Sequence, residues 1–378
     1  MRDKVAELVK NSIVKKIKGG RDIKPIFSNK TAIVFESSSL FVPYLDVALR
    51  SLAKVCNLEE RYDVIVLTNE LEDIDCNILK KSISDYKNIS LRFYNPAYLV
   101  KDYIKNSKYH YLEINYYRLA LPWIFEEYDL VVNFGADIVF LKDISELLNT
   151  EFKNSEYMAG AIDLGYIGRL NMKDIPRDEL CLKEPVHYVN ADVLVFNLHN
   201  IRRNFSMDNV MTIWQKYKFR CAEQDSLNVL FEDGIKLLDL RWNVYPLRMT
   251  SMEHIAETSA EQINMWKKAL KNPFLIHFAA VPKPWDYPMV GYGELWWENA
   301  RNSVYYEEIV RRMCMLAVKN ESLSNCSMPR RILNFVFPIG SSRRMVLKKI
   351  FPPNSQKRKF IKSVYHKLRN KKVKYGMS

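Results

Sequence analysis

The sequence predicts an α/β fold, a mainly parallel central sheet flanked by helices, followed by a basic helical tail. Three observations predict it. Short apolar runs of strand length recur through the body of the chain. Amphipathic helical segments separate the early runs, which implies parallel neighbours and a sheet covered on both faces. Charge is segregated: residues 329–378 hold fifteen Lys/Arg and no Asp or Glu, although the whole chain has a net charge of +13. Residues 1–328 therefore carry 42 basic against 44 acidic side chains and are near neutral.

Composition bounds the rest. With 48% hydrophobic residues, 18 Phe, 22 Tyr and 7 Trp, the chain can bury a sizeable core, which excludes global disorder. Its 378 residues suffice for one large α/β domain with appendages, or for two domains. No apolar run reaches the ~18 residues that a membrane span requires. The opening MRDKVAELVKNSIVKKIKGG is charged throughout and lacks a signal-peptide apolar stretch. The expected location is cytoplasmic. Cys56, Cys76, Cys181, Cys221, Cys314 and Cys326 show no zinc spacing and read as reduced thiols.

In chain order, Val5, Leu8, Val9, Ile13 and Ile17 fall at helical spacing and Gly19-Gly20 ends them, so 1–29 is read as an N-terminal amphipathic helix. Strands are expected at Thr31–Phe35, Tyr62–Thr68, Ile89–Tyr94, Leu130–Phe134, Ile138–Leu141, Tyr157–Ile162, Asp192–Asn197 and Phe274–Phe278. Helices are expected around Tyr44–Val55 and Ile74–Tyr86. Asp143-Ile-Ser-Glu146 has the form of a capping box, with Asp143 accepting from backbone N–H groups and Glu146 reaching back. Residues 294–318 read as a closing helix or helix pair. The expected organisation is 1–29 helix, 30–300 main domain, 301–328 closing helix and 329–378 basic tail.

The chemistry gathers at strand ends. Gly135-Ala136-Asp137 places a lone carboxylate after the buried run LVVNF, and burying a carboxylate is costly without a partner or a role. His277 ends a second apolar run, FLIHF. One oxygen and one nitrogen ligand at a sheet edge suit Mn²⁺, or Mg²⁺ with several waters. His277 taken alone reads first as a hydrogen-bonded core histidine, and the Lys283 turn that follows it shifts the reading toward a ligand. Lys283 lies between two prolines, a rigid place from which to neutralise a diphosphate, while Trp285 reads as packing. Ligands of open α/β sheets bind outside the carboxyl ends of the strands, where Gly135–Asp137 falls.

Five segments in order carry a resemblance: YYRLALP with EEYDLVVNFGADIVFLKDISEL, YVNADVLVFNL, EQDSLNVLF, LDLRWNVYP and IHFAAVPKPW. Together they resemble family 8 glycosyltransferases, retaining enzymes of the GT-A fold that use UDP-galactose or UDP-glucose. The resemblance spans about residues 30–300. It implies a GT-A-like nucleotide-sugar-binding domain. It also implies metal ligation by Asp137, the second Asp of an Asp-x-Asp motif, and by His277. It assigns Lys283 to the diphosphate, and Arg118, Asn190 and Ala191 to the donor sugar. Glu223-Gln224-Asp225 matches the family's Asp-Gln-Asp, whose Gln lies near the reacting carbon. Gln224 is a poor nucleophile and could only orient or stabilise charge. Glu223 or Asp225 could hold sugar hydroxyls, and Asp225 alternatively reads as a helix N-cap.

Departures from the family pattern cluster in the donor site. Gly135 replaces the first Asp of Asp-x-Asp. Glu36-Ser-Ser-Ser-Leu-Phe41 replaces an acidic nucleoside-binding turn and puts Ser38 there. Ala280 replaces a Gly in the phosphate turn. Asp192 stands where the family has Gly, and it is the candidate to supply the missing carboxylate; a solvent-facing Asp is the other reading.

In the tail, Ile361, Val364, Tyr365 and Leu368 form a helical stripe flanked by Lys362, Lys367, Arg369, Lys371 and Lys372. A basic amphipathic helix suits an anionic membrane surface, with nucleic acid or a solvated tail as alternatives; the neutral body argues against nucleic acid. The combined expectation is a hexosyltransferase on the cytoplasmic membrane face. It would use a UDP-sugar and Mn²⁺ or Mg²⁺, act on a glycan or lipid-linked glycan acceptor, and serve surface polysaccharide or lipopolysaccharide synthesis. The alternative is a catalytically impaired relative acting as a binding or scaffold partner.

Overall fold

The computed structural model describes residues 23–107, 112–171, 180–246, 260–279 and 282–324. The expected N-terminal helix and the basic tail lie outside these residues. The chain divides into two compact units, Met1–Arg311 and Arg312–Ser378.

The first unit opens with alternating β1 (Thr31–Glu36), α1 (Val42–Val55), β2 (Tyr62–Leu67), α2 (Asp73–Ser82) and β3 (Ile89–Tyr94). Helices α3 (Ala97–Asn106) and α4 (Glu113–Ile124) lead to β4 (Leu130–Phe134) and the short β5 (Ile138–Phe140). After α5 (Ser145–Leu148) come β6 (Met158–Ile162), α6 (Leu164–Asn171) and β7 (Val189–Asn197). Helices α7 (Leu198–Asn204), α8 (Met207–Lys216) and α9 (Ala222–Phe231) precede β8 (Ile235–Leu237). The order closes with α10 (Ala260–Lys271), β9 (Leu275–His277), α11 (Gly293–Ala300) and α12 (Tyr306–Ser324). Helix α12 runs into the second unit, of which only 312–324 is described.

The main sheet has the order β3-β2-β1-β4-β7-β6-β8. Four of its pairings are parallel, and β7 runs antiparallel to both β4 and β6. Both faces are buried, and the side-chain alternation of a strand shows it. Ile33 and Phe35 of β1, Val64 and Val66 of β2, and Val132 and Phe134 of β4 pack into one core cluster. Their alternates Ala32 and Val34, Ile65 and Leu67, and Val131 pack into the other. A one-residue slip in any of these strands would exchange the two sets, so hydrophobic burial fixes the register.

Strand order reverses between β1 and β4. The carboxyl ends of these two strands therefore border a crevice, the usual ligand position in such sheets. The amino end of antiparallel β7 lies beside it. A separate two-stranded sheet joins β5 to β9, with Ile138 opposite His277.

Several expectations are adjusted. Helix α2 stops at Ser82, and the chain continues to Tyr86 in turns bonded to Lys81 and Ile83 carbonyls. Strand β7 begins at Val189, and β8 was not expected. The capping box does not form. Asp143 accepts from Ser145 N at 2.9 Å, from Asn57 N at 2.8 Å, and from the Ser145 and Tyr62 hydroxyls. Glu146 pairs instead with Lys142 at 2.8 Å. Asp143 thus ties the start of α5 to the end of α1 and the start of β2. The closing segment is a helix pair, α11 and α12.

Candidate active site

Two chain pairings bring the site together. Gly135 N donates to Asp192 O at 3.0 Å, which extends the β4–β7 ladder beyond Phe134 and Val193. Phe278 N donates to Asp137 O at 2.9 Å, which extends the β5–β9 ladder. Asp137 is thereby flanked by Asp192 on one side and His277 on the other. Their ligand atoms all lie within 4.8 Å of one another.

The imidazole is the decisive group. His277 is 1% exposed, and its Nδ1 lies 2.8 Å from Asn243 Oδ1. With a carbonyl oxygen facing it, Nδ1 carries the hydrogen. Nε2 then points a lone pair at Asp137 Oδ1 and Asp192 Oδ2, each 3.4 Å away, and has no hydrogen-bond partner. Three electron-rich atoms facing one another repel unless a proton or a metal cation sits among them. Without a metal the proton does so. Burial pulls the His277 pKa down, but Asp137 and Asp192 outweigh it and raise the value to about 9. Burial also opposes ionisation of the two carboxyls. For Asp137 the balance is reversed by His277 and Lys283, for Asp192 chiefly by Arg118, and both end below the usual carboxylate range. One nitrogen and two carboxylate oxygens fit Mn²⁺ or Mg²⁺.

Lys283 Nζ donates to Asp137 Oδ2 and, at 2.6 Å, to Phe278 O, so its ammonium stands beside the three ligand atoms. Trp285 packs: its ring stacks on Tyr44 with centroids 4.0 Å apart.

Arg118, from α4, is 8% exposed and joins three carboxylates. Nη1 donates to Asp192 Oδ1 at 3.1 Å and Glu223 Oε1 at 3.0 Å, and Nη2 to Glu36 Oε2 at 3.1 Å. Glu36 is also held by Asn133 Nδ2 at 2.9 Å, and Glu223 by Asn115 Nδ2 at 2.5 Å. Burial lifts the Glu223 carboxyl above its ordinary range despite Arg118. Among the described residues, Glu36, Asp137, Asp192 and Glu223 face the cations Arg118 and Lys283 and, without a metal, the protonated His277, whose proton a divalent cation would replace.

Gln224 is locked. Its Oε1 accepts from Asn190 Nδ2 at 2.9 Å and Ala191 N at 3.0 Å, and its Nε2 donates to Asp163 Oδ2 at 3.0 Å. Both carbonyl lone pairs are used, which leaves one N–H to offer a ligand. Asn190 Oδ1 in turn accepts from Asp192 N at 2.9 Å. Asp225 does not cap α9 but lies inside its first turn, 1% exposed. It accepts from Tyr188 OH at 2.6 Å and Cys221 N at 2.7 Å, a structural position. Ser38 sits half-buried in the β1–α1 turn and makes no side-chain cap. Ala280 lies outside the described residues.

Residues 32–288 match the sequence profile of glycosyl transferase family 8. The chain belongs to that family. It is a glycosyltransferase, as the sequence resemblance implied. Three solved structures share the fold. The bifunctional glycosyltransferase WbbM superposes with TM-score 0.71 at 23% identity, over 78% of this chain and 53% of that one. The galactosyltransferase LgtC, solved with donor and acceptor sugar analogues, gives 0.58 at 20% identity, over 72% and 96%. The glycosyltransferase GlyE of Streptococcus pneumoniae TIGR4 gives 0.53 at 17% identity, over 75% and 63%. This chain spans about half the length of WbbM. No curated protein sequence matches it.

Within this family 8 glycosyltransferase, Asp137, Asp192, His277, Lys283, Arg118, Asn190, Ala191, Glu223 and Gln224 lie in one connected cluster, while Ser38 makes no bond to it. Sequence reasoning missed Glu36, Asn115, Asn133, Asp163 and Asn243 as members. Glu36 and Asn133 carried a signal, since each is a polar residue in an otherwise apolar strand (AIVFE and LVVNF). Asn115 and Asp163 carried none.

Proposed function

We propose that this glycosyltransferase moves a hexose, galactose or glucose, from a UDP-sugar to a glycan acceptor with retention of configuration. The observation that carries this reading is the convergence of Asp137, Asp192 and His277, with an unpartnered Nε2 aimed between the two carboxylates and Lys283 alongside. A divalent ion held by these three residues supplies Lewis-acid stabilisation of the charge left on a diphosphate leaving group. Lys283 adds a second positive charge on the same side. Arg118, Asn190 and the free N–H of Gln224 orient the sugar. Glu223 is tied to Arg118 and Asn115, and Asp225 to Tyr188 and Cys221, so neither is free as a nucleophile. That favours retention by front-side attack guided by the leaving phosphate over a covalent intermediate. The galactosyltransferase LgtC, with its sugar-analogue ligands, lends support to the donor class.

The acceptor is a glycan of a surface polysaccharide or lipopolysaccharide, presented on a lipid carrier at the cytoplasmic membrane face. The support is the all-basic 329–378 segment beside a neutral body. The rival reading, a binding partner without transfer, drew on Gly135, Ser38 and Asp192. The place of the Asp192 carboxylate beside Asp137 and His277 favours transfer over it.

The test is transfer or hydrolysis across a panel of nucleotide sugars, followed by mass spectrometry with and without Mn²⁺. Turnover of UDP-galactose or UDP-glucose that requires the metal is expected. No turnover of any nucleotide sugar, together with no thermal stabilisation by them, would overturn the reading.

A further inference from the structure

We infer that positions 135 and 192 form an exchangeable pair: they serve one cation-binding carboxylate, which either strand can deliver but only one position can carry. The inference rests on the metal-binding reading above and adds the reason why residue 135 is glycine. The two residues face each other across β4 and β7, joined by the 3.0 Å bond from Gly135 N to Asp192 O. A Cβ built on Gly135 would lie 3.0 Å from Asp192 Cβ, 3.0 Å from Asp192 Cγ and 3.0 Å from Asp137 Oδ1. Contacts this short are tighter than most real Cβ atoms make, so Asp192 would have to give way by a few tenths of an ångström. The volume into which a side chain at 135 would grow is therefore the volume that the Asp192 carboxyl stem fills.

Gly135 is not among the residues whose backbone needs a left-handed conformation, since its φ lies outside that region. Its side chain is excluded by a neighbour and not by its own dihedrals. Removing the Asp192 side chain removes two of these three contacts and leaves the one to Asp137 Oδ1, the end of a side chain that can rotate. The vacated space borders Asp137 and the buried, unpartnered His277 Nε2, where a carboxylate is wanted. A second consequence belongs to this arrangement alone. Because the carboxylate comes from β7, its other oxygen bonds Arg118 Nη1 at 3.1 Å, so Asp192 spans the metal position and the Arg118 cluster.

Mn²⁺ binding, read directly by calorimetry or by the Mn²⁺ electron-spin signal with UDP present, tests the pair in the full-length protein. Asp192→Gly should weaken binding roughly tenfold or more, on the scale of a disturbed metal site. Gly135→Asp should weaken binding and lower Tm, because the two side chains collide. The double variant Gly135→Asp/Asp192→Gly should regain affinity to within a few-fold of the parent, a strongly non-additive result. Independently of metal, Gly135→Ala should lower Tm in the parent and lower it clearly less in the Asp192→Gly background, where only the contact with Asp137 Oδ1 remains. Parent-like Mn²⁺ affinity in Asp192→Gly, or a double variant no tighter than Asp192→Gly, overturns the inference while the metal reading stands. A parent protein that binds no Mn²⁺ overturns both.

Discussion

Asn243 Oδ1 lies 2.8 Å from His277 Nδ1, and both side chains are buried. A carbonyl in that place accepts the one hydrogen of a neutral imidazole and turns the other nitrogen, as a bare lone pair, toward Asp137 and Asp192. Replacing Asn243 by Leu should leave a fold that no longer selects this tautomer. The expected result is a Mn²⁺ affinity about 10–100-fold weaker, measured by calorimetry, with little change in the far-ultraviolet spectrum. Unchanged affinity would remove Asn243 from the metal argument.

The proton on His277 gives the metal-free protein a defined pH dependence. The folded pKa of about 9 stands above the unfolded value near 6.5, so the imidazolium contributes stability that is fully present below pH 6.5 and is lost as pH rises through 9. The size is on the order of 3 kcal/mol. Metal competes with that proton, so Mn²⁺ affinity should rise by roughly tenfold per pH unit over the same window. Thermal melts with chelator, and Mn²⁺ titrations from pH 6 to 9, check both signs. A flat affinity profile would contradict the competition.

Arg118 answers to three carboxylates, and its loss would leave Glu36 and Glu223 buried with only Asn133 and Asn115. Arg118→Met should therefore cost about 3–5 kcal/mol in denaturant unfolding. Arg118→Lys should recover little, since one ammonium cannot reproduce the forked contacts of a guanidinium to three partners.

Asp225 belongs to a sequence segment matched to catalytic residues, yet its carboxylate faces Tyr188 and Cys221. Asp225→Ala should cost about 1–3 kcal/mol for each donor left unpaired. Its signature is a fall in Tm with parent-like Mn²⁺ affinity in the folded fraction. A large loss of turnover at unchanged Tm would restore a direct role in the chemistry.

The basic segment 329–378 should carry the protein to anionic vesicles. The full chain is expected to float with liposomes containing phosphatidylglycerol and to be released by salt, and a chain ending at 328 should remain at the bottom. Equal flotation of both would remove the membrane contact from the proposal.

The central strands are legible in the sequence because both faces of the sheet are buried. Ala32–Phe35 and Val64–Leu67 show no ambiguity, since a strand buried on both faces reads as an unbroken apolar run, here AIVF and VIVL. Ile235–Leu237 is invisible, being three residues at a sheet edge with a lysine at its centre. Asp137, His277 and Lys283 can be read because each interrupts or follows an apolar run. The roles of Asn115 and Asp163 cannot, because a partner more than 60 residues away gives each its place. The same limit applies to Asp192. Its residue type is visible, whereas the contact with Gly135 that gives it meaning exists only once β4 and β7 are paired.

The short β5–β9 sheet has a consequence for how this enzyme comes into being. Asp137 emerges from the ribosome early, and its imidazole and ammonium neighbours only about 140 residues later. Until the Leu275–His277 strand docks beside Ile138–Phe140, the nascent chain has its parallel core, but Asp137 has neither its imidazole nor its ammonium neighbour. Pairing so distant in sequence forms late and slowly. The proposed metal site is thus a late feature of the folded chain: a chain cut before Leu275 would hold two of its three ligand residues and could not complete the cluster.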